Sequence, residues 1–124
     1  MQAKALDAAV RHQRGIAIID LHGEIDGFAE DTLNAAYSQA EATAPEMILL
    51  NFSGVDYINS TGIALIVSLL ARARKQHRGL IATGLSAHYV EIFQITRLSD
   101  FMSIYPDEQS ALAKQDAQRA AEEG

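Results

Sequence analysis

The hydrophobic pattern of this chain switches repeatedly between two periods, and that switching constrains the fold more than any single motif. In Ile16–His22, Ile16 and Ile18 point to one side while Ala17, Ile19 and Leu21 point to the other. A strand apolar on both sides is covered on both sides. Met47–Phe52 and Leu80–Thr83 are two further short apolar runs of the same kind. Between them the period lengthens to that of a helix. Leu33, Ala36, Tyr37 and Ala40 fall at i, i+3, i+4 and i+7. Ile63, Ile66, Val67, Leu70 and Ala73 are expected to share the inner face of a second helix. Tyr89, Ile92 and Phe93 face inward from a third, Ala87–Thr96. Buried strands alternating with amphipathic helices make parallel crossover units.

Turn residues punctuate this pattern. Ala8–Gln13 reads as a strand joined to Ile16–His22 through a tight Arg14-Gly15 turn, which adds an antiparallel hairpin. Gly23–Gly27 is expected to break the strand, with Asp26 capping the following helix and Glu30 and Asp31 in its early turns. Thr43-Ala44-Pro45 ends that helix. Ser53–Asn59 reads as a crossing loop, Ser60-Thr61-Gly62 opens the next helix, and Gly79 stops it. Phe101–Tyr105 is a last strand, and Pro106 and Asp107 start a final helix whose only large apolar residue is Leu112. The expectation is a single small α/β domain, β-β-α-β-α-β-α-β-α, with helices packed on a mixed central sheet. Residues 1–112 form the domain, and 113–124 a helix end that frays or projects into solvent.

Composition removes several classes of function. A chain of 124 residues, 48% apolar, fits one domain that needs no covalent staple. It has no Cys, which excludes disulfides, thiolate metal sites and thiol nucleophiles. His12, His22, His77 and His88 show no short ligand spacing. No apolar run is long enough to span a bilayer, and Met1–Arg14 lacks the apolar core of a signal peptide, so a cytoplasmic protein is expected. The net charge of −6 is unevenly spread. From Gly15 to Ala71 there are eight Asp or Glu and no Lys or Arg; Arg72, Arg74, Lys75 and Arg78 then cluster at a helix end. One basic cluster complements a helix dipole and is a poor footprint for nucleic acid, so no direct nucleic-acid partner is expected.

The segment Asp56–Ile63 carries the chemistry. Hydroxyls sit where a loop enters a helix, and free amides there favour an anion. Asn59 or Ser60 can serve as a plain N-cap, with Gly62 allowing close packing. Alternatively Ser60 or Thr61 accepts a phosphate, which adds about two negative charges without disturbing the helix start. Enzyme readings are weaker. Ser60 with His22 or His88 and Asp26 or Asp56 completes a triad only on paper, since no GxSxG surrounds any serine. There is no phosphate-binding GxxxxGK[ST] loop or GxGxxG. Neither an enzymatic activity, a cofactor nor a metal is expected.

Leu21–Asp26, Met47–Tyr57, Ile58–Ala64, Leu85–Phe93 and Thr96–Leu98 together resemble the STAS domain family, specifically the bacterial anti-sigma factor antagonists. The likeness runs from about Val10 to Leu112. It implies a partner switch. Such proteins bind a serine-kinase anti-sigma factor with a histidine-kinase-like ATPase fold and so release a sigma factor for transcription. The kinase phosphorylates the antagonist, and a PP2C-type phosphatase resets it. The resemblance places the phosphate on Ser60, with Thr61 as second choice. It gives partner contacts to Asn59, Ser60, Thr61, Gly62 and, from the neighbouring loop, Asp26. Many family members carry Asp before the serine; Asn59 keeps the capping oxygen and loses the charge. The alternative is a STAS interaction module acting on a non-sigma target in secretion, motility, stress assembly or lipid transport.

Overall fold

The computed structural model describes residues 4–123. Its sheet has five strands in sequence order: β1 (Asp7–Gln13), β2 (Ile16–Ile25), β3 (Met47–Ile58), β4 (Gly79–Thr83) and β5 (Ser103–Tyr105). β1 is antiparallel to β2, and every later neighbour is parallel. The expected mixed sheet with an antiparallel edge is therefore present. The β1–β2 turn puts both Arg14 (φ 56°) and Gly15 (φ 77°) in the left-handed region, as two-residue hairpins require.

Four helices cover the sheet: α1 (Glu30–Glu41), α2 (Ser60–Lys75), α3 (Ala87–Ile95) and α4 (Glu108–Glu123). The period-two alternation of the strands decides which helix meets which side chain. Ala17, Ile19, Leu21, Ile48, Leu50, Leu80 and Ala82 pack under α1, α2 and α3, around Leu33, Tyr37, Ile66, Leu69 and Phe93. Ile16, Ile18, Leu49 and Ile81 face the other way, onto Ala111 and Leu112 of α4. In the larger layer the Phe52 and Phe93 rings meet edge to face at 5.9 Å.

Four sequence expectations are corrected. Gly23 does not end β2, and Ser53–Ile58 is not a loop: the two segments pair, His22 opposite Gly54, Glu24 opposite Tyr57 and Ile25 opposite Ile58. The pairing contains two register irregularities, and Gly23 takes φ 105°, so the glycines mark bulges in a continuous strand pair. Gly54 is needed by contact, because a Cβ there would come within 2.4 Å of the His22 ring and 2.8 Å of the Leu21 carbonyl. On α2, Val67 is 44% exposed and Leu69 takes the inward place, since the buried stripe is Gly62, Ile66, Leu69, Leu70 and Ala73. β5 begins at Ser103; Phe101 follows a one-turn 3-10 segment, Leu98–Asp100, and is exposed.

The chain beyond Leu112 continues as helix to Glu123, with Gly124 outside the described residues. Polar contacts hold this part of α4 against the hairpin end. Arg14 pairs with Asp116, and Arg119 donates to the Arg14 carbonyl at 3.3 Å. The basic cluster at the C-terminal end of α2 does more than oppose a dipole. Arg72 lies 4.5 Å above the Tyr37 ring and pairs with Glu41, while Arg78 donates to the Pro45 carbonyl at 2.7 Å. Hydrogen bonding from Gln76, aided by Arg72, holds the Glu41 carboxyl below the usual carboxylate range.

Candidate functional site

β2 and β3 are parallel neighbours, so their C-terminal ends deliver two loops to the same end of the sheet. Hydrogen bonding and close contact lock the loops together. The Asn59 amide donates to the Ile25 carbonyl at 3.2 Å. Gly62 sits directly against that carbonyl, where a Cβ would come within 2.0 Å of the oxygen. On the other side, a Cβ on Gly27 would lie 3.6 Å from the Thr61 methyl. All five residues singled out in the sequence, Asp26, Asn59, Ser60, Thr61 and Gly62, thus belong to two abutting segments.

The cap of α2 is Asn59. Its Oδ1 accepts the Gly62 amide at 2.8 Å, and its carbonyl accepts the Ile63 amide at 2.9 Å. Ser60 is the first helical residue and is exposed, as is Thr61. The two readings of the Asn59-Ser60 pair therefore separate: the cap belongs to Asn59, and the Ser60 hydroxyl has no capping task. The first turn of α2 contains no acidic residue, whereas Glu30 and Asp31 occupy that of α1. An anion at Ser60 would meet the positive end of a sixteen-residue helix.

Asp26 caps a different element from the one expected. Its Oδ1 accepts the Phe28 amide at 2.9 Å, closing a one-turn 3-10 segment, Gly27–Ala29, ahead of α1. α1 itself starts after Ala29 with no side-chain cap, because the 3-10 turn already occupies the Asp26 side chain. Asp56 points elsewhere, to Lys4 at 3.5 Å. His22 lies over Gly54, and the His88 ring meets Tyr89 edge to face at 4.9 Å. Among the described residues no group of three or more His, Asp or Glu is placed to hold a metal ion, and no helix is long and apolar enough to cross a membrane.

Two residues of this region escape sequence reasoning. Helical spacing turns Tyr89 inward but does not reveal that its hydroxyl accepts the Ile58 amide at 2.8 Å, one residue before Asn59. Phe28 is 97% exposed. Burying such a ring is worth about 1.5–3 kcal/mol, a gain that Phe28 forgoes within this chain. The available signal was a large aromatic between Gly27 and Ala29 at a helix entrance, with Asp31 and Thr32 where an apolar neighbour one turn on would stand.

A five-stranded mixed sheet in sequence order, with the capped start of α2 set against the β2–α1 loop, defines the chain as a small α/β domain. The sequence profile of the STAS domain matches residues 7–111, and the chain belongs to that family. Anti-sigma-F factor antagonist RsfA of Mycobacterium tuberculosis is 26% identical over 113 residues, 90% of this chain and 88% of that protein. An anti-sigma-B factor antagonist of Listeria monocytogenes is 28% identical over 82 residues, 66% of this chain and 72% of its own. Among solved structures, the anti-sigma factor antagonist SpoIIAA in its unphosphorylated form superposes with a TM-score of 0.71. It is 22% identical, covering 90% of this chain and 97% of its own. The phosphorylated form of Bacillus SpoIIAA gives 0.66 at 22% identity, covering 87% and 98%.

Proposed function

We propose that this protein is an anti-sigma factor antagonist that works as a phosphorylation-controlled partner switch. It binds a serine-kinase anti-sigma factor with a histidine-kinase-like ATPase fold, and that kinase releases itself by phosphorylating Ser60. A PP2C-type phosphatase returns the chain to its binding state. The protein is then a ligand and a substrate, not a catalyst, and it regulates transcription through the sigma factor it sets free. Asn59, Thr61 and Asp26 supply the surface around the phosphoacceptor, and Gly62, buried against the Ile25 carbonyl, holds their two segments together beneath it.

One observation carries this reading: Asn59 fills the N-cap, so the adjacent exposed Ser60 hydroxyl is dispensable to the fold. A phosphate there leaves the helix intact and gains from its dipole, yet places about two new negative charges on a docking surface. Glu24, Asp26, Glu30, Asp31 and Asp56 already make this part of the chain acidic. Desolvating an uncompensated charge at an interface costs several kcal/mol, and about 2.8 kcal/mol is a hundredfold in affinity. Relatives that are anti-sigma factor antagonists, one of them solved in a phosphorylated form, support the same reading.

Titration of the kinase with Ser60→Ala and Ser60→Asp tests the switch. The alanine variant should bind like the dephosphorylated chain and the aspartate variant at least about a hundredfold more weakly. Equal affinities would sink the proposal. Phosphosite mapping on protein from its own cells complements the titration. Cleavage at Glu suits it, because no Lys or Arg lies between Arg14 and Arg72.

A further inference from the structure

We propose that Phe28 is the aromatic anchor that seats this chain on its kinase, in an apolar socket rimmed by Lys or Arg. This rests on the partner-switch reading and adds to it the residue and the chemistry of the contact.

The exposure of Phe28 is built in. Asp26 grips both ends of the turn: its Oδ1 accepts the Phe28 amide at 2.9 Å, and its carbonyl accepts the Ala29 amide at 3.1 Å. Ala29, 2% exposed, takes the inward place, and the Phe28 ring is left at 97%. The backbone carrying the ring is therefore ordered before any partner arrives, which lowers the entropic cost of docking. Preceding Gly27 abuts Thr61, so the anchor and the phosphoacceptor occupy neighbouring segments of one surface. Aromatic side chains are among the commonest energetic centres of interfaces, provided that a pocket excludes water from them.

Charge identifies the occupant. Glu24, Asp26, Glu30 and Asp31 flank the ring in sequence, and Lys4 pairs with Asp56. An anionic bilayer would be repelled by that collar, since membrane-inserting aromatics work beside Lys and Arg. A second copy in a two-fold contact would set acid against acid. A protein surface with a basic rim around the ring is complementary to that collar.

The test is steady-state phosphorylation of Ser60 by the purified serine-kinase anti-sigma factor of the same cell. The substrates are the wild-type chain, Phe28→Ala and, as a remote exposed apolar control, Ile95→Ala. Phe28→Ala should raise KM roughly thirtyfold or more and leave kcat within about twofold, while Ile95→Ala changes neither. Phe28 packs in no core, so circular dichroism and the thermal midpoint should be unchanged. An unchanged KM for Phe28→Ala with efficient phosphorylation overturns the anchor and leaves the switch standing. Failure of the kinase to bind or phosphorylate the wild-type chain brings down both. A dimer of this chain, or its binding to anionic vesicles, that is lost with Phe28→Ala would assign the ring to another occupant and overturn the proposal.

Discussion

The hydroxyl oxygen of Tyr89, on α3, accepts the backbone amide of Ile58 at 2.8 Å and so ties the third helix to the end of the strand that leads into Asn59 and Ser60. Both groups are buried, and Ile58 has its main-chain donor turned toward the helix layer rather than toward a strand. Tyr89→Phe strands that donor in an apolar layer. The expected cost is about 1–3 kcal/mol, read by urea denaturation. Hydrogen exchange at the Ile58 amide should accelerate by more than that of the β4 amides, because the loosening is local.

Gly62→Ala is expected to be among the most damaging single-methyl changes in the chain. The new Cβ would meet the Ile25 carbonyl oxygen at 2.0 Å and its carbon at 2.8 Å, backbone atoms that cannot swing aside, with an Ile58 methyl at 3.0 Å. Overpacking of this kind costs about 1–3 kcal/mol and here should reach the top of that range or exceed it. Gly27→Ala, whose Cβ would make ordinary contact with the Thr61 methyl at 3.6 Å, should be nearly neutral. Chemical denaturation of the two variants side by side checks the contrast.

Asn59→Ala removes the acceptor for the Gly62 amide and should cost about 1 kcal/mol of stability. Asn59→Asp keeps the acceptor and adds a charge at the positive end of α2, so it should equal or exceed the wild type by about 0.3–1 kcal/mol. Thermal melts at low ionic strength separate the three proteins. A more stable alanine variant would contradict the cap assignment.

Acid should unfold the protein partly through Asp20. Hydrogen bonds from Arg11, above all, hold its carboxyl below the usual carboxylate range, with Asn51 adding a further bond. The folded-state pKa lies below the unfolded one, so this group's contribution is complete above the unfolded value of about 3.9 and is lost as pH falls through the folded value. Asp20→Asn should therefore lower stability at neutral pH and flatten its decline toward low pH. Denaturant titrations from pH 7 down to 3 give the curve; an unchanged acid limb would count against the Arg11–Asp20 pair.

Leu112 and Asp116 lie about one helical turn apart in α4 but should behave differently. Leu112, 5% exposed, closes the layer formed by Ile16, Ile18, Leu49 and Ile81, and Leu112→Ala should cost about 2–5 kcal/mol. Asp116 pairs with Arg14 at a half-exposed site, and Asp116→Ala should cost under about 1 kcal/mol. Denaturation midpoints decide whether the stabilising part of α4 ends near Leu112.

Periodicity in the sequence was enough for the strand cores and for α1 and α3, because those segments carry their apolar residues at a single spacing. It failed at Ser53–Ile58, where Ser53, Gly54 and Asp56 read as loop. Pairing with His22–Ile25, some thirty residues away, made a strand there, aided by close contacts that only glycine permits. On α2 nearly every candidate position is apolar, so period alone could not choose Leu69 over Val67. At the start of α2 the sequence left open whether Asn59 or Ser60 was the cap. Either side chain can accept the same amide bond.

The sequence alone therefore determined which segments can be buried, because hydrophobic spacing is a local property written residue by residue. It determined the class of the domain and the hydroxyls available at a helix start for the same reason. Only the tertiary structure decided that the Ile25 carbonyl meets Gly62, that Asn59 rather than Ser60 holds the helix, and that Phe28 stands in water beside them. Those outcomes depend on where two strands distant in sequence end relative to one another. That placement is set by the packing of the whole sheet against its helices, which no local spacing encodes.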